Sequence, residues 1–230
     1  MAEITIIIPA LNEQAGIETF LQHLQLLRPQ CELLLVDGGS DDDTVALAQL
    51  YVDNVLSAHS GRAVQMNIGA AMASAPILLF LHADTYLPED AISQIQKAMN
   101  SGYQWGRFDV QLTGDHFLLK CVAKLMNTRS RWSGIATGDQ AIFVLSKLFE
   151  QRGGYADIAL MEDIELSARL KKVSKPFCAR SKVTSSGRRW LNFGILRTIT
   201  LMWWLRLQYF IGAKPERLAL LYKEGKFWKV

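Results

Sequence analysis

A strand-then-helix pattern, repeated three times within the first hundred residues, constrains the fold of this chain more than any other feature. Three short apolar runs have the aliphatic character of strands buried on both faces, at residues 4–8, 33–36 and 77–81. Each is followed by apolar side chains at helical spacing, over residues 17–27, 40–50 and 88–99. This alternation predicts an α/β fold with a single, mostly parallel, Rossmann-like sheet flanked by helices.

The rest of the chain is less regular. Its spacing predicts strands over 108–112 and 141–145, and helices over 117–126, 162–173 and 191–212. Ser40 and Asp43 predict a capping box at the start of the second helix. With 230 residues, half of them hydrophobic, the chain can build one sizeable core. We expect one domain over 1–190 and a C-terminal amphipathic, basic and aromatic helical extension over 191–230.

Charge is distributed unevenly along the chain. Residues 171–230 carry 14 Lys/Arg and two acidic residues, whereas residues 1–170 carry 11 Lys/Arg and 20 acidic residues. Such a split is typical of proteins that meet an anionic partner or a membrane surface. The three cysteines are far apart and odd in number, which favours a reducing compartment over a disulfide framework. The start of the chain lacks the basic segment of a signal peptide, so we expect a cytoplasmic protein.

Polar clusters follow the three predicted parallel strands, at residues 9–13, 37–41 and 82–84. Ligands of open α/β sheets bind beyond the carboxyl ends of the strands, so we expect these clusters to meet in one crevice. Carboxylates gathered there would suit a ribose and a divalent cation. Taken singly, Asp37 and Asp84 could equally be turn residues, and Glu13 could be an ordinary first-turn helix residue.

Four segments together resemble the signatures of family-2 glycosyltransferases, in order and in spacing. They are Ile8-Pro-Ala-Leu-Asn-Glu13, Val36-Asp-Gly-Gly-Ser-Asp-Asp-Asp-Thr44, Leu81-His-Ala-Asp-Thr85 and Met161-Glu-Asp-Ile-Glu-Leu-Ser-Ala-Arg-Leu170. The resemblance covers about residues 3–190 and implies a GT-A fold. The Gly-Arg-x-x-Gln segment at 61–65 and Arg188-Arg-Trp190 also resemble a small bacterial subgroup found beside radical-SAM and selenium-related genes.

The resemblance implies a nucleoside-diphosphate sugar of the UDP or GDP type as donor. Its binding site would comprise Pro9, Ala10, Asn12, Glu13, Asp37, Gly38, Arg62, Gln65, His82, Ala83 and Asp84. Asp84 occupies the last position of the family's Asp-x-Asp motif and would bind Mn²⁺ or Mg²⁺. His82 replaces the first acid of that motif. A neutral imidazole could still contact the ribose there, or could simply pack at the strand end.

The acidic pair at Glu162 and Asp163 matches the family's catalytic segment. Asp163 would be the general base that accepts the proton of the acceptor hydroxyl, and Glu162 would orient Asp163 or contact the acceptor. An acidic helix N-terminus is the alternative interpretation of this pair. No second carboxylate is evident as a nucleophile, so the implied reaction inverts the anomeric centre.

Four residues are predicted to border the acceptor or the diphosphate: Gly138, Asp139, Arg189 and Trp190. The family's Gln-x-x-Arg-Trp segment has Ser186 in place of its glutamine here, which favours transfer of a single sugar over processive synthesis. Arg189 could pair with a diphosphate as a bidentate donor. Trp190 could stack on a sugar, and a position in the hydrophobic core is an equally good interpretation.

Residues 194–213 are rich in aromatic and aliphatic side chains but include Arg197 and Arg206, too much charge for a comfortable bilayer span. A helix on an anionic membrane surface, near a lipid-linked hydroxyl acceptor, is one hypothesis. Packing on the chain's own domain or against a second copy in a homodimer is the alternative. We expect no nucleic-acid partner.

Two other functions remain open at this point. A nucleotidylyltransferase would usually carry a glycine-rich, basic loop after its first strand, and residues 9–13 are neither. A non-catalytic protein that binds sugar nucleotides could retain the fold, but it would have no need for Asp84, Glu162 and Asp163. A dinucleotide oxidoreductase would need a Gly-x-Gly-x-x-Gly motif after the first strand, and that motif is absent from this position.

Overall fold

The computed structural model describes residues 2–227. Its strands are β1 (Ile4–Ala10), β2 (Cys31–Asp37), β3 (Asn54–Ser57), β4 (Ile77–Phe80), β5 (Thr85–Tyr86), β6 (Trp105–Leu112), β7 (Phe143–Leu145) and β8 (Phe177–Ser185). Its helices are α1 (Ile17–Leu24), α2 (Thr44–Ala48), α3 (Arg62–Met72), α4 (Ala91–Asn100), α5 (Phe117–Ser133), α6 (Ser146–Gln151), α7 (Glu162–Leu170), α8 (Arg188–Phe193), α9 (Ile195–Phe210) and α10 (Pro215–Glu224). Short 3-10 turns lie at Gln25–Leu27 and Gly138–Gln140.

All eight strands form one sheet in the order β3-β2-β1-β4-β7-β6-β8-β5. Neighbours are parallel from β3 to β4, and β6 is parallel to β8. Strand β7 runs antiparallel to both of its neighbours, and β5 is antiparallel to β8. The prediction of an α/β fold with a single, mostly parallel sheet is confirmed. Because β1 lies between β2 and β4, the polar segments after these strands share one edge of the sheet.

Alternate side chains of β1 belong to two hydrophobic layers, as expected for a strand covered on both faces. Ile6 and Ile8 belong to a core cluster with Phe20 of α1. Ile7 belongs to the opposite cluster, which includes Met66 of α3. Helix α3 packs very closely on the sheet at Gly69, where an added Cβ would lie 2.4 Å from Cγ2 of Ile7.

The C-terminal helices pack on the domain through a third cluster. Leu205 of α9 and Leu221 of α10 pack with Met161 and Ile164, at the start of α7. The extension therefore covers the helix that begins with the predicted catalytic pair. The proposed boundary at residue 190 falls inside α8, and the division into two segments stays a prediction. Among residues 2–227, no helix has both the length and the apolar character that crossing a bilayer requires.

Several local predictions were wrong. The single helix over 191–212 is interrupted at Gly194, whose φ of 82° is left-handed, so that α8 and α9 are separate helices. Ser40 does not cap α2, because its hydroxyl donates to Asp37 at 2.5 Å instead. Helix α3, strand β8 and helix α10 were not predicted.

Candidate active site

The loops after β1 and β2 are joined into one unit by side-chain hydrogen bonds. The backbone N–H of Asn12 donates to Oγ of Ser40 at 2.9 Å, and the N–H of Asp41 donates to Oδ1 of Asn12 at 3.0 Å. Asn12 has a φ of 55°, a conformation that asparagine tolerates better than most residues. The N–H of Glu13 donates to the hydroxyl of Thr44 at 2.8 Å. The first two motifs thus hold each other in position.

Asp37 and Gln65 are buried and already hydrogen-bonded within this unit. Asp37 accepts hydrogen bonds from the N–H of Gly39 at 3.0 Å and from the N–H of Ser40 at 3.1 Å. The side-chain amide of Gln65 donates to the carbonyls of Ala10 and Val36, each at 2.8 Å. Gln65 therefore ties the ends of β1 and β2 together. Its predicted contact with a nucleotide stays a prediction, as does that of Asp37.

A cavity of about 1220 Å³ lies between the edge of the sheet and the C-terminal helices. It brings together nine of the predicted site residues, namely Arg62, His82, Asp84, Gly138, Asp139, Glu162, Asp163, Arg189 and Trp190. The other eight do not line it: Pro9, Ala10, Asn12, Glu13, Asp37, Gly38, Gln65 and Ala83. Asp37, at the end of β2, is two strands away from β4, or about 10 Å across the sheet.

Asp163, in the first turn of α7, is held by two backbone donors. The N–H of Gly138 donates to its Oδ2 at 2.8 Å, and the N–H of Ile164 donates to its Oδ1 at 2.7 Å. Burial, and then repulsion by the Glu162 carboxylate, raise the pKa of Asp163 to about 6. A carboxylate with a raised pKa binds a proton more readily than an ordinary aspartate, which suits a general base.

His82 and Asp139 form a second polar pair in the cavity. Nδ1 of His82 lies 3.7 Å from Oδ1 of Asp139. Burial alone would raise the pKa of Asp139, but the His82 ring and the Arg62 charge outweigh it and lower that pKa. The ring also lies against the Gly138 backbone, where an added Cβ would come within 2.5 Å of Nε2 of His82.

Asp84 lies at the turn after β4 and is 35% exposed. Oδ2 of Asp84 is 3.9 Å from an Nη of Arg188. Burial and the nearby Asp84 charge raise the pKa of Glu13, so these two carboxylates repel each other. In the described part of the chain, no group of three or more His, Cys, Asp or Glu side chains is arranged to hold a metal ion by itself.

Several cavity residues were not predicted from the sequence. Arg188, rather than Arg189, approaches Asp84. Arg189 stacks on the ring of Tyr222, 3.5 Å from its centroid, and also donates to the Tyr222 carbonyl. Arg129 and Arg206 line the cavity from α5 and α9. The basic tract at 188–189 could have indicated Arg188, whereas no local pattern marks Arg129 or Tyr222.

Comparison with known proteins shows the family to which the chain belongs. The family model for glycosyl transferase family 2 matches residues 5–130, more than half of the chain. The chain belongs to glycosyl transferase family 2. The matched region contains the first three motifs and the sheet edge that carries them, so the resemblance to family-2 glycosyltransferases is confirmed. The assignment to a small bacterial subgroup stays a prediction.

Among curated relatives of this family-2 chain, a PGL/p-HBAD biosynthesis glycosyltransferase of Mycobacterium bovis is 37% identical over 102 residues. That match covers 40% of this chain and 39% of the relative, so the chain spans well under half of the relative's length.

Two solved structures share the fold. Staphylococcus aureus TarS 1-349, in complex with UDP-GlcNAc, superposes with a TM-score of 0.64 at 13% identity, covering 81% of this chain and 58% of that one. The mannosyltransferase PcManGT of Pyrobaculum calidifontis, in complex with GDP-Man and Mn²⁺, gives a TM-score of 0.60 at 16% identity, with coverages of 80% and 56%.

Proposed function

We propose that this chain is an inverting, metal-assisted glycosyltransferase that moves one sugar from a UDP- or GDP-type donor to a hydroxyl acceptor. One arrangement carries the proposal: Asp84, from the turn after β4, and Asp163, from the start of α7, line the same cavity. The two residues are far apart in sequence. Asp84 would bind the cation, whereas Asp163 would accept the proton of the acceptor hydroxyl. Family membership and the nucleotide-sugar complexes of the two similar folds support the donor class.

A divalent cation fits the residues present if the substrate completes its coordination. Mg²⁺ is commonly held by one or two carboxylates together with substrate phosphates and water. Asp84 supplies one carboxylate, partly exposed to the cavity and close to Glu13. When bound, Mn²⁺ or Mg²⁺ would offset the negative charge that develops on the departing diphosphate.

Asp163 would accept the proton in the transfer step. The acceptor oxygen forms a bond to the anomeric carbon while the bond from that carbon to the diphosphate oxygen breaks. The diphosphate leaves with the bonding electrons, and the hydroxyl proton passes to the Asp163 carboxylate. The two backbone hydrogen bonds to Asp163 hold this base in place before the acceptor arrives. Burial, and then the charge of the neighbouring Glu162, keep the pKa of Asp163 high.

A thermal-shift panel tests the proposal and separates it from its alternatives. UDP-, GDP- and dTDP-sugars are compared with and without Mn²⁺, and release of nucleoside diphosphate is followed in parallel. One donor at 100 times its dissociation constant should stabilise the fold by about 2.7 kcal/mol. Stabilisation by nucleoside triphosphates, with pyrophosphate release, would indicate a nucleotidylyltransferase instead. Stabilisation by a donor without turnover under any condition would indicate a binding protein.

A further inference from the structure

Two arginines in the cavity have no role in the proposed reaction. Nε and Nη2 of Arg129, on α5, are buried and have no hydrogen-bond partner within residues 2–227, and the same holds for Nε of Arg206, on α9. Neither guanidinium forms an ion pair with a carboxylate in the described part of the chain. A buried polar group without a partner costs free energy. Nε of Arg189 in the same cavity also lacks a partner, but Arg189 already contacts the carbonyl and the ring of Tyr222. Arg129 and Arg206 have no such contact in the described part of the chain, and together they indicate a missing anionic ligand.

The donor diphosphate is a poor candidate for that ligand. It would lie beside Asp84, where Arg188 is already the nearest cation. Moreover, the cavity volume of about 1220 Å³ exceeds the 300–1,000 Å³ that is usual for a single small-molecule site. The cavity therefore has room for a second substrate, whose charge Arg129 and Arg206 would meet.

Each of these arginines lies within an apolar stripe on its helix. Leu125 and Trp132 lie one turn before and after Arg129 on α5, and Trp203 and Phe210 lie one turn before and after Arg206 on α9. All four apolar side chains line the cavity. They are nevertheless unusually exposed, with Trp132 at 87% and both Trp203 and Phe210 at 70%. An exposed apolar patch of this kind marks a binding surface.

We propose that the acceptor is an amphiphile whose phosphate group binds Arg129 and Arg206 and whose hydrocarbon tail lies along the exposed apolar side chains of α5 and α9. This inference rests on the proposed function and gives the class of its acceptor. A phosphate matches two guanidinium groups in charge and offers several oxygens to their N–H donors. The tail would cover apolar surface that is otherwise in contact with water.

The phosphate would also lie close to the reacting centre. Arg129 and Asp163 line the same cavity. Burial lowers the pKa of Arg129, and the charge of Asp163 opposes that effect. An acceptor held at Arg129 can therefore present a hydroxyl of its head group to Asp163.

Calorimetric titration with three probes tests the acceptor class. The probes are octyl phosphate, octyl glucoside and inorganic phosphate, each added to the full chain below its aggregation concentration. Octyl phosphate should bind at least about tenfold more tightly than either other probe, because it alone combines the charge with the tail. Equal affinity for octyl glucoside would show a detergent-like apolar site, and equal affinity for inorganic phosphate would show a simple anion site. Either result would overturn the proposal.

Arg129→Gln and Arg206→Gln localise the phosphate. Each should weaken octyl phosphate binding by about tenfold or more, because a charge-assisted hydrogen bond is lost. Lys124→Gln is the matched control, since Lys124 is an exposed cation on α5 that does not line the cavity. Two independent arginine variants, each checked for an unchanged melting temperature, guard against a folding defect in one of them.

Titration of the same proteins with UDP and Mn²⁺ separates this inference from the proposed function. Wild-type binding of UDP should persist in both arginine variants. Failure of the wild type to bind any nucleotide would refute the proposed function, whereas tight UDP binding without octyl phosphate binding would refute only the acceptor class. Loss of UDP and octyl phosphate binding together in the arginine variants would assign the arginines to the donor and overturn the inference.

Discussion

The backbone N–H of Gly138 donates a hydrogen bond of 2.8 Å to Oδ2 of Asp163. Gly138 begins a 3-10 turn after α5, whereas Asp163 lies in the first turn of α7, so the bond ties two separate elements together at the cavity. The same glycine packs against the ring of His82, which follows β4. One short segment thus touches both the proposed base and the proposed donor site.

Asp163→Asn should abolish most of the turnover and leave donor binding nearly intact. An amide cannot accept the acceptor proton, and removal of a general base typically costs 10²–10⁴-fold in rate. Steady-state turnover and calorimetric donor affinity measure the two effects separately. Asp157→Asn is the control, because Asp157 is exposed and does not line the cavity. Wild-type turnover in Asp163→Asn would rule out Asp163 as the base.

The rate should fall at acidic pH with an apparent pKa of about 6, the value to which burial and Glu162 raise the pKa of Asp163. Below that pH the base is protonated, and the rate should drop about tenfold per pH unit. Glu162→Gln removes a negative charge, so it should lower the pKa of Asp163 and move the acidic limb to lower pH. Profiles of kcat/KM against pH measure this shift. An acidic limb that stays in place, or moves to higher pH, contradicts the assignment.

Gly138→Ala should weaken donor binding more than it weakens the fold. The new Cβ would lie 2.5 Å from Nε2 of His82, so the imidazole would have to move. A side chain can rotate away at little cost in stability, but His82 would leave its position near Asp139. Donor titration and thermal melts of the variant give the comparison. Gly16→Ala, where an added Cβ meets no atom within 4 Å, is the control for donor binding, which it should leave unchanged.

Gly69→Ala tests the close packing of α3 on β1. A Cβ there would meet Cγ2 of Ile7 at 2.4 Å inside the core. Overpacking of this kind costs about 1–3 kcal/mol, and the better helix propensity of alanine offsets about 1 kcal/mol of it. The variant should therefore lose up to about 2 kcal/mol in urea unfolding. A gain in stability would show that α3 lies farther from the sheet than the structure places it.

The parallel half of the fold could be predicted from the sequence, because strands that are buried on both faces consist of continuous runs of apolar residues. Strands β1, β2 and β4 have such runs, each followed by a polar turn. Strand β8 has mixed burial and carries Arg180 and Lys182, so it shows no such run. Helix α3 was missed because its small residues, including the close contact at Gly69, weaken a helical pattern.

The site was only partly predictable, for a related reason. Motif residues such as Asp84 and Asp163 are recognisable because the chemistry restricts their type and their place after a strand or at a helix start. Arg129 lies in the middle of a helix, and only the packing of α9 against α5 encloses it. The break between α8 and α9 depends on the single left-handed residue Gly194. The position of Arg129 has no local signature in the sequence. Gly194 is a residue type that often ends helices, but the apolar pattern continues on both sides of it and conceals the break.

Electron paramagnetic resonance of Mn²⁺ tests most directly whether Asp84 helps to hold a cation against a nucleoside diphosphate in the cavity. Spectra are recorded for wild type and Asp84→Ala with Mn²⁺ alone and with Mn²⁺ plus UDP, and Asp115→Asn, an exposed substitution outside the cavity, is the control. UDP and the wild-type protein together should remove the free Mn²⁺ signal, and Asp84→Ala should largely restore it. An identical loss of the signal in Asp84→Ala would show that Asp84 does not hold the cation.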